Sequence, residues 1–236
     1  MLYKQNLGAR IDCLLLNSSI SELLDKYQRL SLAPSTGEYI AIKGKISLNH
    51  TYKNANPIKD IYELLIKVPS DFPKSVPIIL ETGNKIPKHN DNHVNPDGTL
   101  CLGTPLKLQL FLVKYPSLVD FVERVLIPHL YAVSNKLNGG EFIFGELAHG
   151  SAGELSDYED ILGVKGVVAV KNALNSLRSY KKRIANKKVC PCGCGRRLGS
   201  CKTHFKLNSI RTGFSKNSFD AVLTEFNKRL ERAKKY

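Results

Sequence analysis

The sequence predicts an α+β protein: an antiparallel meander of strands with flanking helices over residues 1–164, followed by a basic, helical extension over 165–236. Three observations predict it. Strand-like runs at 38–48, 60–68 and 76–81 are joined by short turns and sit between two segments of helical periodicity. The charge changes abruptly along the chain. Residues 1–164 carry 16 Lys/Arg and 18 Asp/Glu, a net of −2, whereas residues 165–236 carry 19 and 3, a net of +16. Finally, four cysteines and one histidine fall within the fifteen residues 190–204. The 236 residues suffice for one good core and an appendage.

The elements justify themselves in order. Residues 18–30 read as an amphipathic helix with Ile20, Leu23, Leu24, Tyr27 and Leu30 on one face. Ser18 or Ser19 can cap it, with Glu22 three residues after Ser19 in capping-box position. Pro34 and Gly37 close it. Residues 38–48 contain Tyr39-Ile40-Ala41-Ile42 and then an alternating stretch to Ile46. The runs at 60–68 and 76–81 follow, separated from it and from each other by turns at 54–57 and 69–73. Pro116-Ser117 opens a helix whose face is Leu118, Phe121, Val122, Val125 and Leu126. It can extend past Pro128, which would bend it, to Tyr131. The glycine-rich residues 138–155 read as loop. Ser156-Asp157-Tyr158-Glu159 starts a helix leading towards Tyr180. A last helix over 215–235 has Phe219, Val222, Leu223, Phe226 and Leu230 at helical spacing.

No apolar run reaches the ~18–20 residues of a membrane span. Leu14-Leu15-Leu16 is too short, and too crowded by Arg10 and Asp12, for a signal-peptide core. A cytoplasmic protein is therefore expected, with its six cysteines reduced and serving as metal ligands or reactive thiols.

One of those thiols stands apart. Cys101 lies between two leucines just after the turn Asn95-Pro96-Asp97-Gly98, with His93 before it. A thiol after a polar, amide-rich turn is poised at a surface, and Cys101 reads as a nucleophile. Cys13 has no such surroundings and reads as structural. Acyl transfer through a thiol suits these residue types. A free thiol of pKa about 8.5 is only slightly ionised at neutral pH yet reacts well. The tetrahedral oxyanion needs a donor, which the Asn95 amide or a turn N–H can supply; losing such a donor typically costs ~10²–10³ in rate. His93 can orient the turn. A Cys-His-Asp protease built from Cys101 and His149 competes on paper, but no local protease signature surrounds Cys101. No Gly-rich phosphate loop occurs, so ATP-dependent activation is not visible in this chain.

The order of helix, meander, proline-rich turn, Asn-containing turn, lone Cys and helix resembles the ubiquitin-conjugating enzyme fold. Tyr62 to Pro77 is similar to that family's third strand and the proline turn after it. His93-Val94-Asn95 with Asp97-Gly98-Thr99-Leu100-Cys101-Leu102 resembles its His-Pro-Asn motif and active-site cysteine. Val94 stands where the family has proline, the Asn95-to-Cys101 interval is shorter than usual, and the tryptophan often found after the cysteine is missing. Asn90 and Asn92 are alternatives to Asn95 for the family's asparagine. Together with Gly145 to Gly150, these departures are similar to divergent bacterial relatives encoded in phage-defence operons of the CBASS type. The resemblance implies a thioester between Cys101 and the C-terminus of a protein acyl donor, with a cGAS-like nucleotidyltransferase as a candidate donor, and transfer to an amine-bearing acceptor.

The cysteine cluster fits a structural Zn²⁺ site, since zinc prefers four tetrahedral S/N ligands. Cys-x-Cys, a tight turn and Cys-x-x-His supply them. The stretch resembles the SEC-C zinc motif. The implied set is Cys190, Cys192, Cys201 and His204, with Cys194 spare or replacing His204 in a four-Cys site. The surrounding positive charge fits either an acidic partner protein or nucleic-acid phosphates. The alternative to an enzyme is a non-catalytic adaptor: a degenerate conjugating fold whose basic zinc module binds nucleic acid.

Overall fold

The structure, a computed structural model, describes residues 2–52, 57–88, 92–95, 97–142, 151–212, 214 and 216–233. Within these, the side chains of 2–13, 151–152, 216–217, 229 and 232–233 are not described. Two compact units divide the chain: residues 1–102 with 114–146, and residues 103–113 with 147–236. The charge step at 164/165 falls inside the second unit.

The first unit is an antiparallel four-stranded sheet packed on helices. Its strands are β1 (Leu30–Ala33), β2 (Tyr39–His50), β3 (Ile58–Pro69) and β4 (Ile78–Glu81), in the order β1-β2-β3-β4. The meander expected from the sequence is thus present, with β1 added at its edge. Alternation explains it. Ile58, Tyr62, Leu64, Ile66 and Val68 are buried on one face of β3, and Ile42, Ile46 and Leu48 on the matching face of β2. Register is continuous from Tyr39↔Pro69 to His50↔Ile58.

Helix α1 spans Leu2–Lys26, longer at its start than the expected 18–30 and ending earlier. Leu30 leaves the helix and begins β1, opposite Gly44. That close approach requires glycine: a Cβ on residue 44 would lie 2.0 Å from the Arg29 carbonyl oxygen, and φ is +152°. Ser19 does not cap α1. It sits buried within the helix, and its Oγ accepts the Leu118 N–H at 2.8 Å. The capping group therefore serves a different helix. Ser18 Oγ instead reaches Glu22 one turn on.

Helix α3 (Leu118–Phe121) is capped by Ser117, whose Oγ accepts from the N–H groups of Val119 and Asp120. A π-helical turn, Val122–Leu126, follows, and then α4 (Ile127–Leu137). The π turn answers the problem of Pro128. Ile127 N–H bonds back five residues to Val122, just where the proline ring would crowd an α-helical turn. Helix α4 is held to β3 by Tyr62 Oη and Ser134 Oγ, both buried, and Ser134 also bonds Asp60. After β4, the Glu81 carboxylate accepts the N–H groups of Gly83, Lys85 and Ile86, which fixes the chain on its way to Cys101.

The second unit is helical. Helix α2 (Pro105–Lys114) forms where Leu106, Leu108, Leu110 and Leu112 alternate in the sequence at strand period. Its buried residues, Leu106, Gln109 and Leu112, recur at helical spacing instead. The single helix expected from Ser156 to Tyr180 is two, α5 (Ser151–Leu162) and α6 (Val167–Ser179). Gly163 ends the first: its N–H and that of Val164 both bond the Glu159 carbonyl. The Glu159 side chain then accepts the Gly166 N–H and pairs with Lys165, fixing the corner. Helices α7 (Lys182–Ala185), α8 (Thr203–Thr212) and α9 (Lys216–Ala233) complete the unit. Phe219, Val222, Leu223 and Phe226 of α9 pack with Leu174, Leu177, Tyr158 and Leu207 in its core, as the periodicity of 215–235 anticipates.

Candidate functional site

Beyond β4 the chain makes a small antiparallel hairpin. Val94 bridges Leu100, and both are buried. Cys101 N–H donates to the His93 carbonyl at 2.7 Å, and Asn95 N–H to the Thr99 carbonyl at 2.8 Å. Gly98 N–H bonds Asn95 O across the turn, as the Asn-x-x-Gly signal anticipates. The hairpin continues the sheet, because Leu80 bridges Thr99 and Leu100 N–H donates to Ile79 O. Val94 and Leu100 are buried whereas Asn95, Thr99 and Cys101 are half-buried, as strand alternation about that bridge anticipates. Cys101 is half-buried and in no disulfide. His93 is its direct cross-strand neighbour and Asn95 its diagonal one.

The Asn95 amide is held in place. Its Nδ2 donates to Thr99 Oγ1 at 3.0 Å, and Thr99 Oγ1 donates to Asp97 Oδ1 at 2.6 Å. Asp97 also accepts the Thr99 N–H. This relay uses one of the two Nδ2 hydrogens of Asn95. Asn92, the alternative, donates its amide to the Pro87 carbonyl at 3.0 Å. Asn90, His149 and Gly145–Gly150 lie outside the described residues.

One neighbour was missed in the sequence. His129 of α4 is buried, and its ring lies edge-on to that of His93, with centroids 5.9 Å apart. Phe142 packs tilted on His93 at 4.3 Å. Burial, and secondarily the proximity of His93, pushes the His129 imidazole down to about 3, so it is neutral at physiological pH. Its Nε2 is buried without a hydrogen-bond partner among the described residues. The signal was available: His129 lies seven residues after Val122 and three after Leu126, on the apolar face of that helix. A neutral imidazole in this place cannot act as a cation stabilising a thiolate; it can only accept or donate a hydrogen bond.

The cysteine cluster lies in the second unit. A short antiparallel ladder closes it: Val189 bridges Arg197, Cys190 N–H donates to Arg196 O, and Leu198 N–H donates to Lys188 O. Gly193 and Gly195, at φ +81° and +73°, reverse the chain on either side of Cys194. The Sγ atoms of Cys190, Cys192, Cys194 and Cys201 all lie within 4.8 Å of one another, with Cys190–Cys192 at 3.2 Å and Cys192–Cys201 at 3.6 Å. Four tetrahedral thiolates at ~2.3 Å from a zinc ion would stand about 3.8 Å apart. The four cysteines can therefore hold a metal ion. The gathering includes Cys194. His204 is not among them: its Nδ1 faces the Cys201 carbonyl and its ring packs against Phe205. The Thr203 N–H holds the Cys201 thiol down to about 6, and the Arg196 N–H lowers that of Cys194. Burial raises that of Cys190 to about 12. Two lowered thiols beside one raised by burial suit a site that metal binding deprotonates.

No helix among the described residues is long and apolar enough to cross a membrane. Comparison with known protein families, curated proteins and solved structures finds no significant match to this chain.

Proposed function

We propose that the chain is a cysteine-dependent acyltransferase of the ubiquitin-conjugating type. Cys101 accepts the C-terminal acyl group of a protein as a thioester and passes it to an amine. The observation that carries this reading is the placement of Cys101. Its backbone is fixed on a hairpin that extends the sheet, its side chain is half-exposed, and a restrained amide stands diagonally across from it. In the first step the thiolate attacks the activated carbonyl, the S–C bond forms and the donor's leaving group departs. In the second, an amine nitrogen attacks the thioester, the tetrahedral oxyanion collapses and the Cys101 thiolate leaves as the amine loses a proton. Asn95 is the donor assigned to the oxyanion, and His93 sets the strand that carries the thiol. The resemblance in the residues around Cys101 points to a cGAS-like nucleotidyltransferase as the acyl donor, in a bacterial antiviral setting. We read the metal of the second unit as structural Zn²⁺, because a four-thiolate set leaves no ligand position open for chemistry.

Trapping tests the reading. The full chain isolated from its host without reductant should carry an adduct that hydroxylamine and dithiothreitol both release. Cys101→Ser should carry a dithiothreitol-resistant ester that alkali releases, and Cys101→Ala none. An adduct that persists in Cys101→Ala removes the thiol from the chemistry.

A further inference from the structure

Between Asp160 and Asp220 the chain has 14 Lys/Arg and no Asp or Glu over the 59 residues 161–219. The charge is not spread evenly in its use. Lys165 pairs with Glu159, Arg178 with Asp220, and Arg211 is spent on the carbonyls of Ser176 and Leu177. Lys206 donates to the Asp160 carbonyl. By contrast Lys181, Lys182, Arg183, Lys187, Lys188 and Arg197 are all exposed, and among the described residues none has a carboxylate partner. The fold brings three of them to one depression. Arg183, Lys187 and Lys188, with Ile184, line an open concavity of about 330 Å³. The ladder of the cysteine knuckle places Arg197 across from Val189, beside Lys188. Tyr180 is exposed at the edge, and the Lys188 ammonium stands 5.6 Å from its ring centroid.

We propose that this face is a binding site for single-stranded nucleic acid, read through its phosphodiester backbone without sequence preference. Holding unpaired cations in one place costs self-repulsion, which a polyanion relieves. The composition favours a strand over an acidic protein. Protein interfaces mix both charge signs with polar groups and are depleted in lysine, whereas here acids are missing and lysine dominates. An exposed aromatic ring flanked by cations is the platform on which bases stack. The site is independent of the acyl-transfer reading and stands or falls without it.

The test is fluorescence anisotropy of labelled dT20 and U20 with the full chain at 50 and 200 mM NaCl. Binding at 50 mM NaCl, roughly micromolar, with a strong loss at 200 mM is expected. Arg183→Ala/Lys187→Ala/Lys188→Ala should weaken binding at least tenfold and reduce the slope of log K against log[salt] by about 2, the share of three phosphates. Tyr180→Ala should weaken it about tenfold. A control of equal charge loss on the first unit, Lys43→Ala/Lys45→Ala/Lys59→Ala, should bind like the parent; melting temperatures check that each variant folds. Failure to bind either strand at 50 mM NaCl, or equal loss in the control, overturns the proposal. So does tighter binding of a 20-bp duplex, or displacement of dT20 by polyglutamate of equal charge, the latter assigning the face to an acidic protein.

Discussion

The N–H of Cys101 donates to the carbonyl of His93 over 2.7 Å, and this bond ties the thiol to a residue that turns the chain with φ at +54°. A left-handed residue that is not glycine is uncommon, and His is among the types enriched there. The ring of the same residue meets His129 and Phe142. His93 is thus the joint between the thiol-bearing strand and the aromatic cluster of the first unit.

Asn95 offers a sharper test of the chemistry than His93 does. Asn95→Ala removes both the Thr99 contact and the amide itself. Transfer from the Cys101 thioester to an amine should slow by ~10²–10³. Thr99→Val, which frees the amide without removing it, should cost no more than about tenfold. Single-turnover discharge of the preformed thioester measures both.

His129 links stability to acid. Its pKa is about 3 in the folded chain, below the unfolded value of about 6.5. The unfolded state therefore binds the proton first. Stability is full above about pH 6.5 and falls as the pH drops towards 3, by up to about 1.4 kcal/mol per pH unit from this group. His129→Gln should flatten that dependence in urea melts between pH 4 and 7, and an unchanged slope would contradict the burial argument.

The metal set predicts an asymmetry between two neighbours. Cys194→Ser should weaken metal retention at least tenfold, because it removes one of the four gathered thiols. His204→Ala should keep the metal at full occupancy. Native mass spectrometry and elemental analysis of the two variants decide it, and zinc is the element expected. Chelation should also melt residues 190–201, seen as loss of amide protection there.

Gly44 carries a purely structural prediction. Gly44→Ala drives a Cβ into the Arg29 carbonyl and forces a left-handed residue at the β1–β2 edge. A loss of about 3 kcal/mol in chemical denaturation is expected. Gly37→Ala, where a Cβ meets nothing within 4 Å, should be nearly neutral.

The strands were legible because β2 and β3 each bury one face, so alternation survives in the residues themselves. What failed was whatever depended on partners. Leu30 has helical spacing from Leu23 and Tyr27, yet Gly44 draws it into a strand. The leucines of α2 alternate, and only packing chooses which of them to bury. Ser19 looks like a cap and is one, but for the helix that starts at Leu118. The turn around Cys101 could be read because Asn, Pro, Asp and Gly act locally. The place of His129 on an apolar helix face could be read too, but its meeting with His93 could not, because it joins positions 36 apart. In the cluster, spacing alone left Cys194 and His204 as alternatives; the turns at Gly193 and Gly195 bring Cys194 to the other three.

The central claim is that Cys101 carries the acyl group. The most direct measurement is acyl transfer from the donor protein to an amine by purified full chain, parent against Cys101→Ala, with the adducted peptide located by mass spectrometry. The account predicts that the adduct maps to Cys101 and that transfer vanishes in the variant. Transfer that continues in Cys101→Ala, or an adduct located elsewhere, would contradict it.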